Sequence, residues 1–517
     1  MDFDYSLYLV TNRDCLPDGI TYEESLEQAL KGGVTIVQVR EKSADTGEFL
    51  EIARATKRIC DKYNVPLIID DRIDIALAVG ADGVHLGQTD MPLEVARKLL
   101  PANVIIGISC RTSEEVKRAV AGGADYIGIG TIYATSTKVV KTPLVGPRNI
   151  GEILAALDDT SVKSVAIGGI KSTNAVRTLF GSITASGKSL DGLAVISDIV
   201  ASREPLIAAK RLKDSVSHFK ASRTRFSLGD YTTESLKGSV GKALKYVRQL
   251  SPLVHQITNT VVTTQSANAT IALGASPIMA TSPEEMEDLA KIPGGLLINF
   301  GTLTSLEGMI AAGQYANQNK KPIIFDPVGV GATSFRKLKA AELLNAWQAT
   351  VIKGNPAEIG ALSNSSEVQS KGVDSAGSGF ADPASVVRAL ALRERCVVGM
   401  TGEVDWVSDG KHVARLANGH SLLGHITGSG CMVGTSVATF CGALSVAEKK
   451  VSLNPLADGD MFVATIAGIS AVAVASEIAA LRPDVQGPGT FLPALIDELS
   501  KLTPEVLSEK VNVEIVS

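Results

Sequence analysis

Eight times within roughly the first 215 residues, a short β-branched run gives way to a polar or glycine-rich tip and then to a stretch with apolar residues at helical spacing. No other feature constrains the fold as strongly. A strand followed by its own helix buries both faces only when further strands lie parallel beside it. The runs at 7–11, 35–40, 67–70, 83–86, 104–109, 126–130, 164–168 and 192–196 read as strands, and segments such as 46–63, 113–122 and 172–180 as helices. Eight repeats predict an α/β fold that begins with a closed (β/α)8 TIM barrel. An open doubly wound sheet is the alternative, but it usually stops at fewer strands.

From Lys210 to Leu236 the pattern lapses into a polar segment rich in Ser, Thr, Lys and Arg, read as a solvated last helix and a linker. The expected organisation is a barrel domain over 1–220, a linker over 221–237 and a second α/β domain over 238–517. Strand runs at 295–299, 322–326, 351–353 and 397–400 lie between Ala-rich helices, and 363–382 reads as a Gly/Ser-rich surface loop. The net charge is -5, and neither part has an excess of basic residues, which argues against nucleic acid or an anionic membrane as partner. Six scattered cysteines without a C-x-x-C pair form neither a disulfide framework nor a zinc site, and fit a reducing, cytoplasmic setting. The acidic N-terminus does not read as a targeting signal. The apolar run 466–481, broken by Ser470, Ser476 and Glu477, reads as a core helix too short and too polar to span a bilayer.

In a closed barrel the chemistry sits at the C-terminal ends of the strands. The second strand ends in Gln38-Val-Arg40-Glu-Lys42, whose alternation places three donors, two of them cationic, on one side as a clamp for a polyanion. Asp70 and Asp71 end the third strand, and the fourth leads through His85 to Asp90. Carboxylates on neighbouring tips suit Mg²⁺. An extended strand sends Asp70 and Asp71 to opposite sides, so the metal is expected on Asp71 and Asp90. A general acid–base pair, or a salt bridge from Asp71 to Arg72 or Arg40, are the alternatives, and His85 reads as a packing histidine. Thr135, Ser136, Thr137 and Lys138 follow the sixth strand. Gly168-Gly169 and Ile196-Ser197 end the seventh and eighth strands just before helices, a cradle for a monophosphate. Two anion pockets and a metal imply a transferase that expels pyrophosphate.

QVREK, IIDDRIDIAL, ADGVHLGQTDMP, GIS, TSTK, AIGGI and VIS resemble, in order, the motifs of the thiamine phosphate synthase family. The resemblance implies that an aminopyrimidine pyrophosphate is held by Gln38, Arg40, Lys42, Asp70, Ser109 and Lys138, with Mg²⁺ on Asp71 and Asp90. It implies that the thiazole phosphate lies on Thr135, Ser136, Thr137, Gly169, Ile196 and Ser197. The chain departs from the family at Asp70, where Asn is usual.

In the second part, Gly424 to Cys431 forms a glycine-rich turn before an apolar helix, whose N–H groups would stabilise an anion and whose dipole would lower the Cys431 thiol pKa. The alternative is an ordinary helix start with a buried cysteine. Lys353-Gly-Asn355-Pro-Ala-Glu358 gathers a cation, an amide and a carboxylate around one turn, and Asp326-Pro-Val-Gly329 follows another strand. The near-Walker run GSITASGKS at 181–189 has the wrong spacing and runs helix to strand, so it reads as a surface loop.

LVHQITNTVVT, ALGASPIMA, INFGTL, DPVGVGAT, KGNPAEI, KGVD, TGEVD and TGSGC resemble the hydroxyethylthiazole kinases of the ribokinase-like superfamily. That resemblance implies thiazole alcohol at Met279 and Gly428, ATP as substrate at Lys353 and Thr401, Mg²⁺ around Asn355 and Glu358, and Cys431 where much of the superfamily has an aspartate base. It also implies a homo-oligomer built on trimers, up to a hexamer. The whole chain resembles the fungal-type fusion of the two enzymes. A barrel that binds phosphates without coupling them, and a non-catalytic thiamine sensor, are the rival readings.

Overall fold

The computed structural model describes residues 3–135, 137, 143–184, 186–222, 230–303, 305–363, 369–371, 374–376, 379–449 and 456–516. Its contacts divide the chain into two units, Met1–Ala221 and Ser222–Ser517.

The first unit is a closed parallel barrel of β1 (Leu7–Val10), β2 (Ile36–Val39), β3 (Leu67–Asp70), β4 (Gly83–Leu86), β5 (Ile105–Cys110), β6 (Tyr126–Ile129), β7 (Lys163–Ile167) and β8 (Gly192–Val195). Closure is explicit, with Leu7 opposite Leu193 and Leu9 opposite Val195, which rules out the open sheet. All eight strands stand where the β-branched runs put them. The helix Thr46–Tyr63 shows why the units are regular. Asp45 caps its start, Asn64 ends it in the left-handed region, and Phe49, Ala53, Thr56 and Cys60 bury one face. The barrel interior is filled by Tyr8, Val10, Ile36, Ile68, Tyr126, Val165 and Ala194.

The second unit is built on a nine-stranded sheet. Its strands are β9 (Leu253–Ile257), β10 (Ser276–Ile278), β11 (Gly294–Asn299), β12 (Ile323–Asp326), β13 (Val351–Gly354), β16 (Val397–Met400), β17 (Asp405–Ser408), β18 (Val413–Leu416) and β19 (Val513–Val516). The order is β10-β9-β11-β12-β13-β16-β17-β18-β19, parallel as far as β16 and antiparallel beyond it. The segment expected as a loop carries a separate antiparallel pair, β14 (Gln369–Lys371) and β15 (Asp374–Ala376).

Two helices, Ser429–Ala447 and Met461–Ala480, are buried along nearly their whole length. Here the expectation of a run too short and too polar for a bilayer is corrected. The helix begins at Met461, five residues before the apolar run, and both helices are long and apolar enough to cross a membrane. Their burial in the protein core is what identifies them as core helices. The interval 221–237 is entered from both sides by helices, Pro205–Ser222 and Thr233–Leu250, the latter started early by a capping box between Thr232 and Ser235.

Candidate active sites

At the barrel mouth, Lys42 reaches from the end of β2 to β3, with its Nζ 2.8 Å from Asp70 and 3.5 Å from Asp71. Arg40 stands 3.9 Å from the same Asp70 oxygen. The expected divergence of Asp70 and Asp71 does not occur, because β3 stops at Asp70 and Asp71 turns left-handed, at φ 65°. Both carboxylates therefore face one ammonium. The Asp71 N–H bonds the carbonyl of His85, and Arg72 spends its guanidinium on Asp74 and Thr46. Asp90 accepts the Gly87 N–H at 2.7 Å. Burial works against the charge of Lys42, but Asp70, Asp71 and Asp90 outweigh it and hold its pKa above the ordinary value.

Among the described residues no three His, Cys, Asp or Glu side chains form a metal cluster. Mg²⁺ needs only one or two protein carboxylates when phosphate and water complete its shell, so the oxygen donors Asp71 and Asp90 fit it. Gln38 and Ser109 are also at this end: the Gln38 amide donates to Tyr8 Oη at 2.9 Å, and Ser109 Oγ lies 2.8 Å from His85 Nε2. The packing histidine is thus polar-paired on both ring nitrogens.

Across the mouth, Thr135 and Thr137 hydroxyls pair at 2.9 Å. Ser136 and Lys138 lie outside the described residues. Gly169 has φ 65°, and a Cβ there would stand 2.5 Å from the Ala134 carbonyl, so the tip of β7 meets the loop after β6 only as glycine. Ile196 precedes the short helix Ser197–Val200, and Asp198 accepts the Ser172 N–H, joining the tips of β7 and β8. The near-Walker loop runs from the helix Ala175–Gly181 to β8, and Lys188 Nζ is committed to the carbonyls of Leu157 and Thr160.

In the second unit, strand ends deliver a buried ionic group. Asp326 ends β12, and Lys353 on β13 stands 3.6 Å from it while donating 2.9 Å to the Gly430 carbonyl at the start of the helix Ser429–Ala447. Asn299, ending β11, donates to Asp326 and accepts from Asn259, which in turn donates to the Cys431 sulfur at 3.5 Å. Asn259, Asn299 and Asp405 were not singled out from the sequence, although INFGTL and TGEVD contain two of them at strand ends.

Cys431 reverses the expectation for its thiol. Burial and the Asp326 carboxylate push its pKa up to about 11, so desolvation wins over the helix terminus and the group stays a thiol at neutral pH. Gly428 is left-handed (φ 81°), and a Cβ there would lie 2.4 Å from Val262 Cγ1. Met279 follows β10, the edge strand, half-buried.

Asn355 and Glu358 form a reciprocal cap: the Glu358 N–H bonds Asn355 Oδ1 and the Asn355 N–H bonds Glu358 Oε2, while Glu358 Oε1 accepts from Gly329. Burial and Asp326 push the Glu358 carboxyl up to about 7. Burial alone does the same for Asp405, which accepts the Gly402 N–H. Thr401, Gly402, Asp405, His420, Gly430 and Val433 help line a cavity of about 570 Å³. Its size suits a small-molecule ligand.

A model of the hydroxyethylthiazole kinase family matches residues 244–505, and one of thiamine monophosphate synthase matches residues 7–199. A probable thiamine biosynthetic bifunctional enzyme of Schizosaccharomyces pombe is 40% identical over 98% of this chain and 97% of its own length. The thiamine biosynthetic bifunctional enzyme of Saccharomyces cerevisiae is 38% identical over the same shares. A hydroxyethylthiazole kinase of Thermoanaerobacter sp. is 41% identical over 53% of this chain and 98% of its own.

Proposed function

The chain belongs to the bifunctional thiamine biosynthetic enzymes, a thiamine phosphate synthase joined to a hydroxyethylthiazole kinase, and from that membership we propose how its residues divide the chemistry. The kinase phosphorylates 4-methyl-5-(2-hydroxyethyl)thiazole with ATP. The synthase condenses that phosphate with 4-amino-2-methyl-5-hydroxymethylpyrimidine pyrophosphate, releasing pyrophosphate.

The observation that carries the assignment is the pair of lysines, Lys42 between two carboxylates at the barrel mouth and Lys353 between Asp326 and a helix start in the other unit. In the barrel, Arg40, Lys42 and Lys138 take the pyrophosphate, and Gln38, Asp70 and Ser109 complete the pyrimidine side. Lys42, itself half-exposed, can turn from Asp70 and Asp71 to phosphate oxygens that arrive from the solvent side. Asp71 and Asp90 hold Mg²⁺, which when bound offsets the charge of the leaving pyrophosphate. Thr135, Ser136, Thr137, Gly169, Ile196 and Ser197 take the thiazole phosphate, so that its ring nitrogen meets the pyrimidine carbon as the pyrophosphate departs.

In the kinase, Met279 and Gly428 receive the thiazole alcohol, and Lys353 and Thr401 the ATP, with Mg²⁺ near Asn355 and Glu358. Cys431 contacts the alcohol as a thiol and orients it; a thiol with a pKa of about 11 is a poor base near pH 7. We assign domain limits of 1–220 and 238–517, a cytoplasmic location and a trimer-based homo-oligomer. The last is supported by Met279 at the edge strand and by exposed apolar Val261 and Ile271 nearby in the chain. The test is formation of thiamine phosphate from pyrimidine pyrophosphate, thiazole alcohol and MgATP by the purified chain, with each half-reaction also assayed alone. Loss of both activities on replacing Lys42 alone would refute separate sites.

A further inference from the structure

Beneath the barrel mouth five polar side chains form a line. Gln38 Nε2 donates to Tyr8 Oη at 2.9 Å, Tyr8 and Tyr126 hydroxyls lie 2.7 Å apart, Tyr126 Oη is 2.9 Å from His85 Nδ1, and His85 Nε2 is 2.8 Å from Ser109 Oγ. The line is built into the fold. A Cβ on Gly107 would stand 2.0 Å from the Tyr126 ring, so β5 gives up a side chain to admit it, and one on Gly128 would crowd His85 at 3.2 Å. Burial raises the pKa of both tyrosines, which keep their protons.

The direction of the protons follows from Tyr8. It is 1% exposed, and among the described residues its hydroxyl meets two polar atoms, one of which is a donor, the Gln38 amide nitrogen. Its own proton therefore goes to Tyr126, because a buried hydroxyl without an acceptor is costly. Tyr126, having accepted, donates to His85 Nδ1. That leaves the His85 proton on Nε2, where it is donated to Ser109 Oγ, and the Ser109 proton is released toward the mouth.

Resting on the assignment of Gln38 and Ser109 to the pyrimidine, we infer that His85 is a positioning residue, held as its neutral Nε2–H tautomer by the Tyr8–Tyr126 relay, and that it makes Ser109 a hydrogen-bond donor opposite the acceptor oxygen of Gln38. An acceptor beside a donor complements the edge of a 4-aminopyrimidine, whose amino group donates and whose ring nitrogen accepts. A 4-oxopyrimidine presents the reverse order and is excluded. The relay is thus a specificity device for the coupling reaction, placed one layer below the groups that touch substrate.

The chain has six histidines, so labelling with ¹⁵N-histidine, with His85 assigned by its loss in His85→Gln, reads the tautomer directly in the free enzyme. The expected result is Nε2–H in the native chain and a mixture in Tyr126→Phe. The same Tyr126→Phe variant should lose about tenfold in kcat/KM for the aminopyrimidine pyrophosphate, mainly through KM. It should also lose about tenfold of its preference over the 4-oxo analogue, the size of one well-placed hydrogen bond. Calorimetry of the same preparation should show the barrel's unfolding transition retained, which reports intact folding of the unit that carries Tyr126, and the kinase rate should be unchanged. A proton on Nδ1, or an imidazolium, in the native chain would overturn the relay. An unchanged amino-over-oxo preference in Tyr126→Phe would overturn its role in specificity. A native relay together with unchanged pyrimidine affinity in Gln38→Ala would instead remove the assignment of the mouth, and with it the substrate half of the proposal.

Discussion

Lys42 at the barrel mouth keeps 46% of its side chain in solvent, whereas Lys353 in the second unit keeps 3%, yet each stands against carboxylates. The barrel buries Asp70 but leaves Lys42 and Asp71 partly in water, so a diphosphate can reach the ammonium and take over its pairing. The kinase has removed water from Asp326, Lys353 and Glu358 and fixed them with Asn299, Asn355 and backbone N–H groups. Burial there raises the carboxyl pKa values of Asp326, Glu358 and Asp405. The contrast suits the two reactions. A site that must release pyrophosphate gains from exchangeable pairs, and one that must keep water from ATP gains from a dry, preset field.

Removing each lysine tests this most sharply. Lys353→Met should strand a buried carboxylate, costing about 3–5 kcal/mol in the kinase unit, and should abolish thiazole phosphorylation while pyrimidine coupling persists; calorimetry and the two assays read both. Gly428→Val should likewise silence only the kinase, since a left-handed residue 2.4 Å from Val262 cannot carry a branched side chain. Lys42→Ala should lower coupling by roughly 100-fold or more, with a smaller loss of stability than Lys353→Met, because Lys42 and Asp71 are partly exposed and only Asp70 is buried. Equal destabilisation by Lys42→Ala and Lys353→Met would erase the distinction between wet and dry sites.

The pH response should differ as well. Unfolded, Asp405 loses its proton near 3.8; folded, burial holds it to about 7. Between those values the folded state binds a proton that the unfolded chain has released. The contribution of Asp405 to the stability of the kinase unit therefore falls as pH rises through that window, on the order of 1 kcal/mol per pH unit at most. From pH 5 to pH 8 the unfolding temperature of this unit should fall more, or rise less, in the native chain than in Asp405→Asn. The smallest effect is expected at Lys188. Lys188→Met should leave both activities unchanged and cost the barrel about 1 kcal/mol through two lost carbonyl contacts; any loss of ATP use would revive the near-Walker loop as a phosphate site.

The barrel was legible because period and composition agree: each strand is a β-branched run between turn residues, and all eight fall within a residue or so of where pattern alone puts them. The antiparallel extension β17–β19 was not, since its strands carry polar residues such as Asp405, Ser408 and Arg415, and the last of them, β19, joins β18 from about a hundred residues further along the chain. Site residues on strand ends were readable by type, but not their surroundings. Asp71 departs from strand alternation through one left-handed residue. Cys431 stands at a helix start as expected, while the burial that dominates its thiol, and the Asp326 carboxylate that adds to it, are set by the packing of segments far away in sequence. Asp70 proves to be the closest partner of Lys42, a pairing no local pattern announces.

The two apolar helices of the second unit carry a cost during synthesis. Until Ser429–Ala447 and Met461–Ala480 find each other and the sheet, a growing polypeptide displays two stretches that lipid would solvate as readily as protein does. Maturation of the kinase half is then a race between docking and capture, and growth at raised temperature or with chaperones depleted should deplete this half of the enzyme before the barrel.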